Sequence, residues 1–294
     1  MERKEYIEVS LVAAPELGES LSSLLIESGA DGAWIDAGRV TAYFKQGYYF
    51  AEMVEEKTRL FCDQLRAEGV DVPDFRIKSE VRAGSDWNEE WKKHFKPICV
   101  TDYLTVSPPW ETPAPERQKG KIIWIDPGMG FGTGTHPTTR NCLVLLDRFF
   151  RQADGAGKIR ALDLGSGSGI LAIAMALYGA GDIVAADIDG EAVESMRHNF
   201  LLNQVGRKIR LRLGSVLLAD RAGYDLVAAN LTAGDLVRLG RELAGSLSGK
   251  GTLIVSGILS ERRTDVESCF KSEGLTKADE IEEDNWLTQV WRKG

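Results

Sequence analysis

The stretch PGMGFGTGTHPTT, from Pro127 to Thr139, has the composition of a loop that binds a small polar molecule. It places four glycines and five threonine or histidine side chains between an apolar strand and an apolar helix. Its hydroxyl groups belong to Thr133, Thr135, Thr138 and Thr139. Backbone donors and small hydroxyls can wrap a polar ligand, and Phe131 can cover an apolar part of it. A phosphate cradle, a metal site and a lid over another small molecule all remain open at this point.

A second glycine-rich stretch, ALDLGSGSGILAIA, marks the turn from a strand into a helix. Gly165 and Gly167 lie at this turn, where glycine permits positive φ and lets a ligand lie against bare backbone. A dinucleotide fingerprint requires a third glycine, but counting from Gly165 the last position is Ile170. The stretch also lacks the Gly-Lys-Ser/Thr ending of a P-loop. These departures weaken an NAD site and exclude a P-loop.

Two polar residues follow later strands of the same pattern. Asp187 ends the next strand, 22 residues after Gly165, where a carboxylate can accept both hydroxyls of a ribose. Asp189 competes for that role, but it lies at a helix start and is better placed as an N-cap. Asn230 ends the strand YDLVAAN, where its amide can hold a ligand or a substrate amine, or instead cap the following helix. Carboxyl ends of parallel strands share one edge, so these residues converge on one crevice.

A metal site is not expected. His136 has no histidine, cysteine or carboxylate at ligand spacing, and the chain has three histidines in all. The cysteines, Cys62, Cys99, Cys142 and Cys269, are scattered without a CxxC pair. We therefore expect buried, reduced thiols, with neither zinc nor disulfides.

The elements that position these residues form an α/β domain. From about residue 96 apolar strands alternate with helices, which predicts a Rossmann-like, doubly wound parallel sheet. The last segment, LTKADEIEEDNWLTQVWRK, is instead typical of an antiparallel hairpin. The one proline-rich stretch, SPPWETPAP, is expected to be a loop.

A smaller domain precedes the α/β domain. In residues 1–84 the hydrophobic period follows the order βαββαβ, which predicts a ferredoxin-like α+β sandwich. Residues 85–95 follow as a linker helix, with Trp87, Trp91 and Phe95 four residues apart on one face. The predicted domains are therefore 1–84, the linker 85–95, and 96–294.

Composition limits the partners and the location. Residues 1–84 hold 10 Lys and Arg against 16 Asp and Glu, which argues against direct binding to nucleic acid and permits a basic protein partner. No run of about 18 apolar residues exists, and the first residues are charged where a signal peptide is apolar. We expect a cytoplasmic protein without a membrane partner, and a monomer.

Taken together, these motifs resemble the PrmA-type ribosomal protein L11 methyltransferases. The resemblance covers essentially the whole chain and is carried by DWNEEWKKHFKPI, PGMGFGTGTHPTT, LDLGSGSGILAIA, ADID and ANL, in this order. It implies an N-terminal substrate-recognition domain, a helical linker and a catalytic domain that methylates amines of a ribosomal protein. It also implies contacts to S-adenosylmethionine by Thr139, Gly165, Asp187 and Asn230. The expected cofactor site further includes Phe131, Gly132, His136 and Gly167.

The implied chemistry needs few catalytic groups. Methyl transfer from a sulfonium is an in-line displacement, so positioning the reactants supplies much of the acceleration. The lysine or N-terminal amine must first lose a proton, and no residue of the sequence is identifiable as the base. Two alternatives remain: an NAD-dependent oxidoreductase, and a non-catalytic adenosine-binding module for ribosome assembly.

Overall fold

The structure is a computed structural model in which the chain divides into two compact units. It describes residues 5–12, 17–30, 32–36, 39–45, 51–67, 72, 76–83, 95–126, 132–153, 155–215 and 223–294. The first unit takes the described residues up to Lys96, and the second takes those from Pro97 onward. The expected linker helix at 85–95 falls almost wholly on residues 84–94, which lie outside the described residues.

The first unit is the predicted βαββαβ sandwich. Its strands are β1 (Glu5–Val12), β2 (Gly32–Asp36), β3 (Arg39–Lys45) and β4 (Arg76–Ala83), and its helices are α1 (Gly18–Glu27) and α2 (Ala51–Ala67). The sheet order is β2-β3-β1-β4, with antiparallel neighbours throughout. Alternate apolar residues such as Val9, Leu11 and Phe44 pack with Leu21 and Leu25 of α1 in one core. This confirms the ferredoxin-like fold.

Within the described residues, the main sheet of the second unit has seven strands. They are β8 (Arg160–Leu164), β9 (Asp182–Asp187), β10 (Ile209–Leu213), β11 (Tyr224–Asn230), β12 (Leu247–Leu259), β13 (Leu275–Glu283) and β14 (Trp286–Lys293), in the order β10-β9-β8-β11-β12-β14-β13. The first five in this order are parallel, and β14 is antiparallel to both of its neighbours. Asp284 and Asn285 turn the hairpin with φ of 49° and 64°. The predicted parallel sheet with a terminal hairpin is confirmed.

Helices cover both faces of this sheet. They are α3 (Pro137–Gln152), α4 (Ile170–Tyr178), α5 (Gly190–Leu202), α6 (Ala233–Arg238), α7 (Gly240–Ser246) and α8 (Arg263–Ser272). One core cluster joins α3, α4 and α5 to one face, and a second joins α6, α7 and α8 to the other. Parallel strands buried on both faces explain the nearly continuous apolar runs of β8, β9 and β11.

A three-stranded sheet precedes the main sheet and was not expected from the sequence. It consists of β5 (Ile98–Thr101), β6 (Leu104–Ser107) and β7 (Lys121–Trp124), in that order. Asn203, the C-cap of the helix α5 (Gly190–Leu202), pairs with the backbone of Trp124, accepting from its N–H at 2.8 Å and donating to its carbonyl at 2.6 Å. This pairing positions Trp124, which precedes the glycine–threonine loop (residues 127–139) in the sequence.

The cysteines differ from the expectation of four buried thiols. All four are free, but Cys99 is exposed and Cys269 is half-buried, whereas Cys62 and Cys142 are buried. Cys99 lies on β5, a short strand of the sheet that the sequence analysis did not anticipate. Separately, none of the helices in the described part of the chain combines the length and apolar character needed to cross a membrane.

Candidate functional site

The glycine turn after β8 has the backbone conformation that its sequence predicted. Gly165 and Gly167 have φ of 66° and 53°, in the left-handed region that favours glycine. A Cβ on Gly165 would lie 2.3 Å from Cδ2 of Leu231. The N–H groups of Gly165 and Ser166 donate to the carbonyl of Ala186, at 2.9 and 3.2 Å. The turn is therefore held against the end of β9 and presents bare backbone at the carboxyl edge of the sheet.

Buried polar contacts fasten the glycine–threonine loop to this turn. The hydroxyl of Ser168 donates to the carbonyl of Gly132 at 2.8 Å. Asn199 of α5 donates to the carbonyl of Ser168 at 3.0 Å and accepts from the N–H of Asp126 at 3.1 Å. Asp126 and Gly132 are thus held by the same network. Phe131, an expected site residue, lies outside the described residues.

Asp187 occupies the end of β9 and braces the glycine turn. Its Oδ2 accepts from the N–H of Gly167 at 2.9 Å, and its Oδ1 accepts from the N–H of Asp189 at 3.1 Å. A carboxylate offers about four acceptor positions, so capacity remains for a ligand. Asp189 caps α5 by accepting from the N–H of Glu191 at 2.9 Å, as its position predicted. The half-buried carboxylate of Asp187 thus lies at the carboxyl end of β9, whereas that of Asp189 is engaged as a helix cap.

Two exposed apolar side chains beside Asp187 were missed by the sequence analysis. Ile188, the next residue, is 78% exposed. Leu213 lies opposite Asp187 in the parallel register of β9 and β10, and it is 60% exposed. Each leaves a large apolar surface beside Asp187, and such a surface suits a flat aromatic group. The sequence offered one indication of this surface, because the apolar residue Ile188 directly follows the strand-end carboxylate of Asp187.

Asn230 connects the end of β11 to the glycine–threonine loop. Its Nδ2 lies 3.3 Å from the hydroxyl oxygens of both Thr138 and Thr139, which are buried in the first turn of α3. The following helix, α6, is capped instead by Thr232, whose Oγ1 accepts from the N–H of Asp235. Asn230 therefore does not cap the helix that follows it. Its amide and the threonine hydroxyls form one polar group at the sheet edge.

His136 caps α3. Its Nδ1 lies 2.7 Å from the hydroxyl oxygen of Thr138 and accepts from the N–H of Thr138 at 3.3 Å. The ring packs edge-on against Trp286, with centroids 5.0 Å apart. Nearby, Arg140 donates to the carbonyl of Thr135 at 3.2 Å and to Glu283 at 2.6 Å. His136 thereby fixes the direction of the helix that carries Thr138 and Thr139, while Arg140 fastens the loop to the terminal hairpin.

The described residues contain no group of three or more histidine, cysteine, aspartate or glutamate side chains able to hold a metal ion. The hydroxyls of the loop also engage each other, since the Oγ1 atoms of Thr133 and Thr135 are 2.9 Å apart. Part of the hydroxyl set of the loop is therefore engaged within the loop itself.

Asp163 lies beneath the glycine turn and is fully buried. Its Oδ2 accepts from the N–H of Ala172, in the first turns of α4, at 3.0 Å. Burial, with a smaller contribution from the negative charge of Asp187, raises the pKa of this carboxyl group to about 7, although hydrogen bonds from Ala172 and Ser166 act in the opposite direction. The sequence shows a carboxylate inside an apolar strand, but its burial depends on how α3 and α4 pack.

Comparison with known proteins identifies the family. The model of the family "Ribosomal protein L11 methyltransferase (PrmA)" matches residues 5–294. The ribosomal protein L11 methyltransferase of Brevibacillus brevis is 32% identical over 317 residues, covering 98% of this chain and 99% of that protein. The corresponding protein of Citrifermentans bemidjiense is 35% identical over 306 residues, covering 98% of each.

A solved structure agrees with these relatives. The crystal structure of ribosomal protein L11 methylase from Lactobacillus delbrueckii subsp. bulgaricus superimposes with a TM-score of 0.62 at 29% identity. It covers 68% of this chain and 100% of that chain. The family match extends over nearly the whole sequence, and the strand ends that carry the candidate site lie within it. The chain therefore belongs to the ribosomal protein L11 methyltransferase (PrmA) family.

Proposed function

We propose that this protein transfers methyl groups from S-adenosylmethionine to lysine and N-terminal amines of ribosomal protein L11. The observation that carries the proposal is the meeting of three strand-end groups at one sheet edge, within a chain that matches the family from end to end. They are the glycine turn after β8, Asp187 at the end of β9, and Asn230 at the end of β11 with its threonine partners. Open α/β sheets bind their ligands at this edge.

The described residues fit S-adenosylmethionine part by part. Asp187 has acceptor capacity for the ribose hydroxyls, and the exposed surfaces of Ile188 and Leu213 suit the adenine ring. The bare backbone at Gly165 and Gly167 admits the body of the ligand closely. Asn230 and Thr139 offer an amide and a hydroxyl for its polar amino-acid end.

The main contribution of the chain to this reaction is to position the methyl donor and the amine relative to each other. Bound S-adenosylmethionine supplies an electrophilic methyl group on a positively charged sulfur. The amine nitrogen would form the new bond to that carbon as the carbon–sulfur bond broke, with the electron pair left on sulfur. An unperturbed lysine has a pKa of about 10.4, so the amine must give its proton to water or be desolvated before it reacts. We assign no catalytic base.

We assign recognition of the protein substrate to residues 1–84, the linker to 85–95, and methyl transfer to 96–294. An acidic first unit suits a basic ribosomal protein, and no direct contact with nucleic acid is needed. We place the enzyme in the cytoplasm and expect a monomer. A separate recognition domain can bring different amines of the substrate to one methyl donor.

The direct test of the reaction is release of S-adenosylhomocysteine by the full chain. We expect release with ribosomal protein L11 and little with L11 whose amines have been acetylated, since acetylation removes the nucleophile. An oxidoreductase would instead consume a nicotinamide cofactor. A binding module would hold S-adenosylmethionine without releasing product. Equal release with native and acetylated L11 would contradict the assignment of amines as acceptors.

A further inference from the structure

The backbone from Trp124 to Asp126 has a different kind of partner on each of its two sides. On one side the N–H of Ile125 donates to the carbonyl of Ser107 on β6, at 3.0 Å. On the other side the N–H groups of Trp124 and Asp126 donate to two asparagine side chains, at 2.8 and 3.1 Å. An extended chain directs successive N–H groups to opposite sides. The asparagines therefore take the place that a neighbouring strand would have on the second side.

The spacing of the two asparagines matches the spacing of the backbone groups that they hold. Asn199 lies on α5, and Asn203 is the C-cap of that helix. Four residues of helix span about 6 Å along the axis and bring both side chains to one face. Trp124 and Asp126 are two residues apart, which is about 6.6 Å along an extended chain. One face of the helix can therefore pair with every second N–H of this segment.

The two asparagines differ in their remaining contacts. Nδ2 of Asn203 donates to the carbonyl of Trp124 at 2.6 Å and to the carbonyl of Asn199 in its own helix at 2.8 Å. Nδ2 of Asn199 instead donates to the carbonyl of Ser168 in the glycine turn, at 3.0 Å. The hydroxyl of Ser168 donates to the carbonyl of Gly132 at 2.8 Å. Asn199 therefore joins Asp126 to the glycine turn, whereas Asn203 holds only the end of β7.

The glycine turn thus has two side-chain anchors. The N–H of Gly167 donates to Asp187 at 2.9 Å, and the carbonyl of the next residue, Ser168, accepts from Asn199. Both anchors belong to consecutive elements, since α5 follows β9 directly. Asn199 is fully buried, so a ligand in the crevice does not reach its side chain. Any effect of Asn199 on a ligand must pass through the backbone that it holds.

We propose that Asn199 is a positioning residue of this enzyme, which fixes the glycine turn relative to Asp126 and thereby sets the shape of the cofactor crevice without touching the cofactor. The inference rests on the proposed binding of S-adenosylmethionine. An amide suits this position because it donates and accepts at once. The coupling is reciprocal, so a ligand that is favoured by the contacts of Asn199 must also stabilise those contacts.

Asn199→Asp and Asn203→Asp form a matched pair of substitutions. Each keeps the side-chain shape and the oxygen that accepts from a backbone N–H, and each loses the donor to a carbonyl when the new carboxyl group is ionised. Both should lower the free energy of unfolding in urea, because each leaves a carbonyl without its donor. At pH 8, calorimetry on folded protein should show affinity for S-adenosylmethionine at least about tenfold lower in Asn199→Asp, and no more than about twofold lower in Asn203→Asp.

Lowering the pH should rescue Asn199→Asp. A protonated carboxyl group donates through its O–H and accepts through its other oxygen, which restores both contacts of the asparagine, and burial favours this neutral form. We expect the affinity of Asn199→Asp relative to wild type to recover between pH 8 and pH 5.5. His198, whose Nε2 lies 3.4 Å from Oδ2 of Asp126, is present in all the proteins compared, so the ratio removes its effect. A defect of packing alone would not be reversed by protonation.

Hydrogen exchange of the wild type covers the case in which a variant does not fold. Saturation with S-adenosylhomocysteine should slow exchange of the Asp126 N–H, which Asn199 accepts, more than that of the Trp124 N–H, which Asn203 accepts. Equal affinity losses in the two variants, no recovery of Asn199→Asp at low pH, or exchange of Asp126 that the ligand leaves unchanged would each overturn the proposal. Failure of the wild type to bind S-adenosylmethionine would instead contradict the proposed function.

Discussion

Asp187→Asn tests the cofactor site most sharply, because the structure gives Asp187 two tasks. Its carboxylate accepts from the N–H groups of Gly167 at 2.9 Å and Asp189 at 3.1 Å, and it is proposed to accept from the ribose. An asparagine keeps one acceptor oxygen and turns an amide N–H₂ toward the other donor. We therefore expect the substitution to loosen the glycine turn as well as weaken the ligand contact.

The magnitude follows from the loss of one charge-assisted hydrogen bond on each side. Hydrogen bonds to charged groups contribute about 1.5–3 kcal/mol, and a half-buried group falls toward the lower end. We expect the free energy of unfolding without ligand to fall by about 1–2 kcal/mol. Affinity for S-adenosylmethionine and S-adenosylhomocysteine should fall by about 1–3 kcal/mol, which is about 5-fold to 150-fold in Kd.

Asp189→Asn is the matched control, since asparagine and aspartate are comparable N-caps and Asp189 caps α5. It should change unfolding and binding by no more than about 0.5 kcal/mol. Urea unfolding without ligand and calorimetric titration with both ligands separate the two effects of Asp187→Asn. Unchanged affinity in Asp187→Asn, or an equal loss in Asp189→Asn, would refute the placement of the ribose at Asp187.

Further expectations concern specificity, stability and the division of labour. NAD should bind at least about a hundredfold more weakly than S-adenosylmethionine, because Ile170 replaces the third glycine of the dinucleotide fingerprint; comparable affinities by calorimetry would reject this. Without cofactor, the raised pKa of Asp163 makes the contribution of this residue to the free energy of unfolding decrease as the pH rises from about 4 to about 7, by up to about 4 kcal/mol. In urea unfolding, Asp163→Asn should therefore be more stable relative to wild type at pH 8 than at pH 5. A difference in stability that stays constant with pH would contradict this expectation. We also expect a chain of residues 96–294, once circular dichroism shows that it is folded, to bind S-adenosylmethionine nearly normally but to methylate ribosomal protein L11 very poorly. Methylation at the full-chain rate would contradict the recognition role of residues 1–84.

The sequence predicted the larger features of the fold because their patterns are local and regular. Apolar runs separated by helices predicted the parallel sheet, and the changes of hydrophobic period along residues 1–84 predicted the order βαββαβ. The sheet of β5, β6 and β7 was not predicted from the sequence, because each strand has four residues and a proline-containing stretch separates β6 from β7. Short strands of this kind depend on tertiary pairing, such as that of Trp124 with Asn203.

The candidate site was predictable where it depends on strand ends. Asp187 and Asn230 follow apolar strands, and parallel topology brings such positions to one edge. The contact of Asn230 with Thr138 and Thr139 spans about 90 residues, so no local pattern indicates it. The protonation behaviour of Asp163 likewise depends on burial beneath α4, which the strand sequence alone does not determine.

The most direct test of the central claim is the mass of ribosomal protein L11 after incubation with the full chain and S-adenosylmethionine. We expect mass gains equal to whole numbers of methyl groups, one S-adenosylhomocysteine released for each, and fragment spectra that place them on lysine side chains or the N-terminal amine. No mass gain on L11, under conditions where the chain is shown to bind S-adenosylmethionine, would contradict the account.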